Sequence, residues 1–242
     1  MITGYLDKLV DAVFPKSIYC ICCGNIIDSS RSYCLCDHCM DHIHWNLEMP
    51  KKIDDVLFVK CMEYGIYERS IIFSMKYGGH KYIARPGAEI MYDKLVQIGQ
   101  ISDVDFEDDA PDQGANKGSS LSLTSTIVVP VPMYLKKERQ RGFNQASLLG
   151  EFLARKMKVD FCGDLLVRTR ETKAMRSLSP TERMENIKNS IDLNEKYGKI
   201  ARYKKIILID DFYTTGSTAL ECVKSLRRLE PVEILFLAFA AR

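Results

Sequence analysis

Four consecutive apolar residues, Ile206, Ile207, Leu208 and Ile209, constrain this 242-residue chain more than any other stretch. An unbroken, mostly β-branched run suits a strand covered on both faces, as in a parallel α/β sheet, and not the alternation of a half-exposed strand. Two carboxylates, Asp210 and Asp211, fall at its carboxyl end. Thr214, Thr215, Ser217 and Thr218 then surround Gly216, and Ala219, Leu220, Val223 and Leu226 follow at helical spacing. The loop therefore presents free backbone N–H groups at a helix N-terminus, a ready site for an anion. No Gly-Lys-Ser/Thr occurs here, which excludes a Walker A loop, and the three-glycine dinucleotide fingerprint is absent.

Residue type divides the labour. A dianionic phosphate suits the N–H groups and hydroxyls of Thr214, Thr215, Ser217 and Thr218, with Gly216 letting the backbone approach closely. Acidic residues beside that phosphate would repel it. Asp210 and Asp211 make sense only against donors, such as the vicinal hydroxyls of a ribose, or a Mg²⁺ ion bound alongside. A ribose 5-phosphate satisfies both halves. An apolar run, Asp-Asp, two residues and Thr-Thr-Gly-x-Thr together resemble the phosphoribosyl pyrophosphate (PRPP) loop of the type I phosphoribosyltransferases.

The length leaves room for one full α/β domain plus something small, and 46% hydrophobic content is ample for a core. Net charge is +2, but residues 102–126 hold six acidic residues and one Lys; without them the chain carries 33 basic against 26 acidic residues, a net of +7. That bias suits a polyanionic ligand, PRPP or nucleic acid. The segment itself, rich in Asp, Ser and Gly, reads as a flexible insertion. Ile2, Tyr5, Leu6, Leu9, Val10, Val13 and Phe14 recur at helical spacing, and Asp7, Lys8 and Asp11 interrupt what would otherwise be a signal-peptide core. No run approaches the roughly 20 apolar residues needed to cross a bilayer. A cytoplasmic protein without membrane insertion is expected, in which nine cysteines point to metal or free thiols before disulfides.

Cys20, Cys23, Cys36 and Cys39 form two C-x2-C pairs separated by twelve residues. Two thiolates three apart on a tight turn can face one ion, and two such knuckles complete a tetrahedral, structural Zn²⁺ site with no open position. Cys22, Cys34 and His42 lie close enough in sequence to offer other ligand sets. Further on, Val56 to Cys61 suggests a strand. Ile71, Ile72 and Met75 suggest a helix ending at Lys76, Tyr77, Gly78, Gly79 and His80, where Lys76 by itself reads as a cation on the helix dipole. A second helix, interrupted by Pro86, runs towards Val96. Ile127, Val128, Val129, Pro130, Val131 and Pro132 read as a buried strand stopped by prolines. Lys136, Lys137, Arg139 and Arg141 follow, placed to neutralise a second phosphate, with a helix through Leu149 and Leu153. Leu165, Leu166 and Val167 make a short strand leading into a basic connection through Arg168, Arg170, Thr172, Lys173 and Arg176. That connection has the composition both of a mobile lid over an anion and of an unliganded surface loop. Ser179, Pro180 and Glu182 resemble a helix start, and the last strand covers Val232 to Ala240. The order from Ile127 onward is that of a parallel sheet with helices on both faces, which binds ligands beyond the strand carboxyl ends.

Taken in order, CxxCG and CxxC, Lys-Tyr-x-Gly at Lys76, Val-Pro-Val-Pro ending at Pro132, Arg-Gly-Phe-Asn-Gln from Arg141 and Glu-Arg-x-x-Asn from Glu182 resemble the ComF family over nearly the whole chain. The resemblance implies a type I phosphoribosyltransferase-like parallel sheet flanked by helices, residues 51–242, behind an N-terminal helix and zinc-ribbon-like module, residues 1–50. It implies PRPP as ligand, with Asp210 and Asp211 holding the ribose hydroxyls and Mg²⁺. Thr214, Thr215, Gly216, Ser217 and Thr218 would hold the 5-phosphate, and Val129, Val131 and Pro132 would line the pyrophosphate side. Arg139, Arg141, Arg170 and Arg183 become pyrophosphate or lid contacts. Where the family has a glutamine three residues after the lid threonine, this chain has Met175. The family is linked to natural competence and DNA uptake. Three functions follow as expectations: transfer of the phosphoribosyl group to an unidentified nitrogen acceptor, PRPP sensing without turnover, and single-stranded DNA handling beside the competence machinery, to which Tyr33 and Trp45 could contribute stacking surfaces.

Overall fold

A computed structural model describes residues 18–77, 80–101, 125–172 and 179–242. The helix expected over residues 2–14, the acidic segment from 102 to 124, Gly78, Gly79, Lys173, Met175 and Arg176 lie outside those residues, as does the side chain of Arg183.

Eight strands and eight α-helices are described. The strands are β1 (Lys51–Ile53), β2 (Val56–Glu63), β3 (Thr126–Pro130), β4 (Asp160–Phe161), β5 (Leu166–Arg168), β6 (Ile191–Leu193), β7 (Lys205–Tyr213) and β8 (Glu233–Ala241). The helices are α1 (Asp37–His42), α2 (Ile66–Tyr77), α3 (Ala84–Gln97), α4 (Leu135–Arg141), α5 (Gln145–Met157), α6 (Pro180–Ile187), α7 (Glu195–Ala201) and α8 (Ser217–Leu226). Six strands form one sheet in the order β1-β2-β8-β7-β3-β4, parallel except for the β1-β2 hairpin. This is the α/β architecture expected from the sequence.

Both faces of the central strands are covered, which explains why β7 reads as a continuous apolar run. Ile207, Ile209, Leu235, Leu237 and Phe239 pack with Leu95 of α3 and with Leu149 and Leu153 of α5. Ile206, Leu208, Ile234 and Phe236 pack with Cys222 and Leu226 of α8 on the opposite face. Each fully buried Leu or Ile contributes about 2 kcal/mol of apolar transfer free energy, so the two layers together supply the main driving force. The cysteine module belongs to the first layer, since Ile21, Leu35 and Ile43 join the same buried cluster as Met91 and Leu95.

Three expectations change. Pro86 does not interrupt a helix; it sits in the first turn of α3, where its missing N–H has no intrahelical partner to lose. The strand at Leu166 lies outside the main sheet, pairing antiparallel with β6 in a separate two-stranded ribbon. An edge strand the sequence reading lacked, β4, pairs with Ile127 and Val128. Among the described residues no helix is long and apolar enough to cross a membrane.

Candidate ligand cleft and metal centre

The cleft begins where two neighbouring strands part. β3 pairs with β7 only as far as Pro130 opposite Ile209, whereas β7 stays paired with β8 through Tyr213. Pro130 is tolerated because alternate residues face alternate neighbours: the Val128 carbonyl accepts from Cys162 N–H on the β4 side, and Pro130 shares that side after β4 has ended. Val131 makes the last contact, donating its N–H to the Ile209 carbonyl at 2.8 Å. Its carbonyl is held by Asn144 Nδ2 at 3.0 Å, and the Asn144 Oδ1 caps α5 through Ala146 N–H. Beyond Ile209, the edge of β7 that carries Asp210 and Asp211 is therefore free.

The aspartates differ. Asp210 Oδ1 accepts the Asp211 N–H at 2.9 Å. Burial, reinforced by the neighbouring Asp211 charge and opposed by Lys76, pushes the Asp210 carboxyl up to about 8. Asp211 Oδ2 lies 2.5 Å from Lys76 Nζ, an ion pair whose side chains are only 15% and 21% exposed.

Next to them the chain turns through Gly216, whose φ of +76° opens α8 without a side-chain cap. A β-carbon there would lie 2.9 Å from Tyr213 Oη, so both the turn and the close approach require glycine. Thr215 Oγ1 and Ser217 Oγ are 2.8 Å apart. Asp210 and residues 212–219 line a small cradle around these groups, with the first N–H groups of a ten-residue helix at its floor.

The cradle opens into a cleft of about 850 Å³ that brings together Asp210, Asp211, Thr214, Thr218, Val131, Pro132 and Arg141. Lys76, Lys137, Arg168, Arg69 and Arg242 line it too, giving six cations with Arg141 around two carboxylates. Lys137 Nζ is held by the Thr172 carbonyl at 3.0 Å, and Arg141 donates to Gln145 Oε1 at 2.7 Å. Arg168 is mostly enclosed, its buried Nε has no hydrogen-bond partner, and burial lowers its proton affinity. Arg139 lines an adjoining hollow instead, which shares Arg168 with the cleft. Arg170 is exposed and donates to the Lys188 carbonyl at 2.8 Å. Val129 is enclosed in the core. The sequence does not point to Arg69 or Arg242 as ligand contacts; Lys76 beside a broken helix and Arg168 in a basic connection carry the available signals.

At the amino-terminal module the sulfurs of Cys20, Cys23, Cys36 and Cys39 all lie within 4.8 Å of one another. One tetrahedral ion with thiolate bonds of about 2.3 Å would hold sulfurs about 3.8 Å apart, so the cluster fits a structural metal. Gly24, at φ +76°, and the Gly24 N–H bond to the Cys20 carbonyl form the first knuckle. Cys22 instead points its thiol at the Tyr67 carbonyl, 3.5 Å away. His42 Nδ1 meets the His38 carbonyl at 2.7 Å, and His38 Nε2 meets Tyr67 Oη at 3.1 Å. Tyr33 Oη donates to Asp93 and Trp45 Nε1 to the Met40 carbonyl, so both rings are engaged in packing the module.

No family model matches the chain. It is 36% identical over 120 residues to Competence protein F of Haemophilus influenzae, covering 50% of this chain and 52% of that protein. It is 32% identical over 114 residues to DNA utilization protein YhgH of Escherichia coli K12, covering 47% and 48%. With Competence protein ComFC of Bacillus subtilis the identity is 36% over 92 residues, covering 38% and 34%. The chain thus spans about half the length, or less, of the curated relatives it matches. Leishmania donovani UMP synthase, a solved structure, aligns at TM-score 0.30 and 15% identity over 69% of this chain and 28% of that one, a similarity too slight to build on. The shared sequence with three differently named competence and DNA-utilization proteins supports the ComF family resemblance carried by the motifs.

Proposed function

We propose that the cleft binds PRPP together with Mg²⁺. The observation carrying this reading is the juxtaposition, at one strand end, of two carboxylates, a capless helix N-terminus with hydroxyls, and a set of cations on the β3 side. A ligand complementary to all three has a terminal phosphate, vicinal hydroxyls and a second polyanionic group. Thr214, Thr215, Gly216, Ser217 and Thr218 hold the 5-phosphate, Asp210 and Asp211 the ribose hydroxyls and the metal, and Val131, Pro132, Lys137, Arg141 and Arg168 the pyrophosphate. Bound Mg²⁺ would supply charge neutralisation of the pyrophosphate. The chain's own contribution is positioning and electrostatic complementarity, and no nucleophilic triad is needed. Arg139, Arg170 and Arg183 remain candidates for closure over the ligand.

The test is calorimetric titration of PRPP with and without Mg²⁺, on the native chain and on Asp210→Asn with Asp211→Asn. Magnesium-dependent binding that disappears in the double variant is expected; unchanged binding in that variant defeats the assignment.

We infer also that the four-cysteine cluster holds structural zinc, that residues 1–50 and 51–242 act as a metal-binding module and a ligand-binding domain, and that the protein works in the cytoplasm in support of competence and DNA uptake. The names of the relatives and the basic bias of the chain support the last point. A direct single-stranded DNA contact is the second reading, favoured by the name DNA utilization protein. It requires binding at low salt that weakens steeply as salt rises; no measurable binding at low salt removes it.

A further inference from the structure

On the far side of β7 from the cations assigned to pyrophosphate, the cleft has a wall of different chemistry. Across the sheet the order is β2-β8-β7-β3, so the ends of β2 and β8 flank Asp210 and Asp211 opposite Val131 and Pro132. That end is pinned by Tyr64 N–H on the Ala241 carbonyl at 2.6 Å and by Arg242 N–H on the Tyr213 carbonyl at 3.1 Å. Tyr64 and Phe212 sit there with ring centres 4.8 Å apart, and Phe73 adds a third ring that is 52% exposed. Arg69 and Arg242 line the same wall. Neither guanidinium has an ion-pair or hydrogen-bond partner among the described residues, whereas Arg141 and Lys137 across the cleft are both held by protein oxygens.

We propose that this wall takes the acceptor, and that the acceptor is a planar nitrogen heterocycle bearing a carboxylate. The proposal rests on the PRPP reading above. Aromatic side chains offer faces to a flat ring, and a guanidinium fork matches a carboxylate through two parallel N–H bonds. A cleft of this size, with PRPP filling its β3 half, has room for a flat ring beside it. In the reaction the ring nitrogen forms a bond to ribose C1 as the C1–O bond breaks. Pyrophosphate leaves with that electron pair, and a proton on the nitrogen, where there is one, goes to solvent.

Matched pairs differing only at the acid supply the test: nicotinate against nicotinamide, and orotate against uracil. Each is titrated into protein saturated with Mg²⁺ and PRPP, and pyrophosphate release is followed in parallel. The acid of at least one pair is expected to bind tenfold or more tightly than its neutral partner. Arg69→Gln and Arg242→Gln should each reduce that preference about tenfold with PRPP affinity unchanged, as loss of a charge-assisted hydrogen bond does. Equal binding of acid and neutral members in both pairs, or a preference that survives both substitutions, overturns the acceptor proposal alone. Failure of PRPP itself to bind defeats the reading beneath it, and this proposal with it.

Discussion

Lys76 Nζ stands 2.5 Å from Asp211 Oδ2, joining the last turn of α2 to the carboxyl end of β7. The Lys76 charge opposes the proton uptake by Asp210 that burial and Asp211 favour, and the pair ties the aromatic helix α2 to the acidic centre of the cleft. With both side chains mostly enclosed, removing one partner leaves a charge without compensation. Lys76→Met is expected to cost about 2 kcal/mol, between the values for exposed and fully buried pairs. Adding Asp211→Asn should recover part of that loss. Thermal unfolding of the two single variants and the double variant measures it; simple additivity would show that the pair is not coupled.

Asp210 makes a pH prediction with a definite sign. Its carboxyl is raised to about 8 in the folded chain, chiefly by burial and then by Asp211. Between about pH 4 and pH 8 the native state therefore holds a proton that the unfolded state has released. Its contribution to the stability of the unliganded protein is fully present below about pH 4 and is lost as pH rises through 8. Metal–PRPP binding demands the opposite charge state, so affinity should rise by up to about tenfold per pH unit over the same window. Denaturant titrations and PRPP calorimetry from pH 6 to 8.5 check both slopes, and Asp210→Asn should flatten the first.

The central carboxylates and the cradle are legible in the sequence because they are consecutive: Ile206 to Thr218 forms strand, carboxylates, cradle and helix start in one stretch. The Val131–Pro132 wall was legible for a similar reason, since proline advertises the end of a ladder. The remaining cations were not. Arg69 and Arg242 reach the cleft from α2 and from the end of β8, elements brought together only by the parallel pairing of β2 with β8. Arg139 and Arg141 look equivalent in sequence, yet two positions on a helix point about 200° apart, so Arg141 enters the cleft and Arg139 the adjoining hollow. The ribbon of β5 and β6 escaped for want of length: three-residue strands carry too little pattern to reveal which sheet they join.

That divergence gives a third prediction. Arg141→Ala should weaken PRPP binding about tenfold or more, as loss of a charge-assisted contact does. Arg170→Ala, exposed and bonded among the described residues to the Lys188 carbonyl, should weaken it less, since Arg170 reaches the ligand only through closure. Calorimetry on the two variants at one salt concentration decides; equal losses would mean that Arg170 swings over the ligand.

Metal removal is the fourth. Cys20, Cys23, Cys36 and Cys39 converge, while Cys22 and His42 have partners elsewhere. Elemental analysis should therefore find about one zinc per chain, retained in Cys22→Ser and His42→Ala and lost in Cys39→Ser. Because Ile21, Leu35 and Ile43 share the buried cluster of α3 and α5, chelation should also lower the unfolding temperature of the whole protein in one transition. A separate low-temperature step, with the main transition unmoved, would mean that the module is energetically independent.

The cradle supplies the last. Gly216 occupies a left-handed conformation at φ +76°, and the space a β-carbon would need is taken by Tyr213 Oη, 2.9 Å away. Gly216→Ala should cost about 1–2 kcal/mol from backbone conformation alone. Its larger effect falls on the ligand, because the methyl group must displace Tyr213 from one side of the turn that presents the Ser217 and Thr218 N–H groups. Affinity for inorganic phosphate and for PRPP should drop together, by about tenfold or more, as expected when aligned charge-assisted N–H contacts are lost. Pairing the change with Tyr213→Phe, which removes the Oη atom and keeps the ring against Phe58 and Phe236, should restore part of the phosphate affinity while leaving the backbone cost in place. Equal phosphate binding by the native chain and Gly216→Ala would remove the 5-phosphate from this loop and require it to sit among the cations of the cleft.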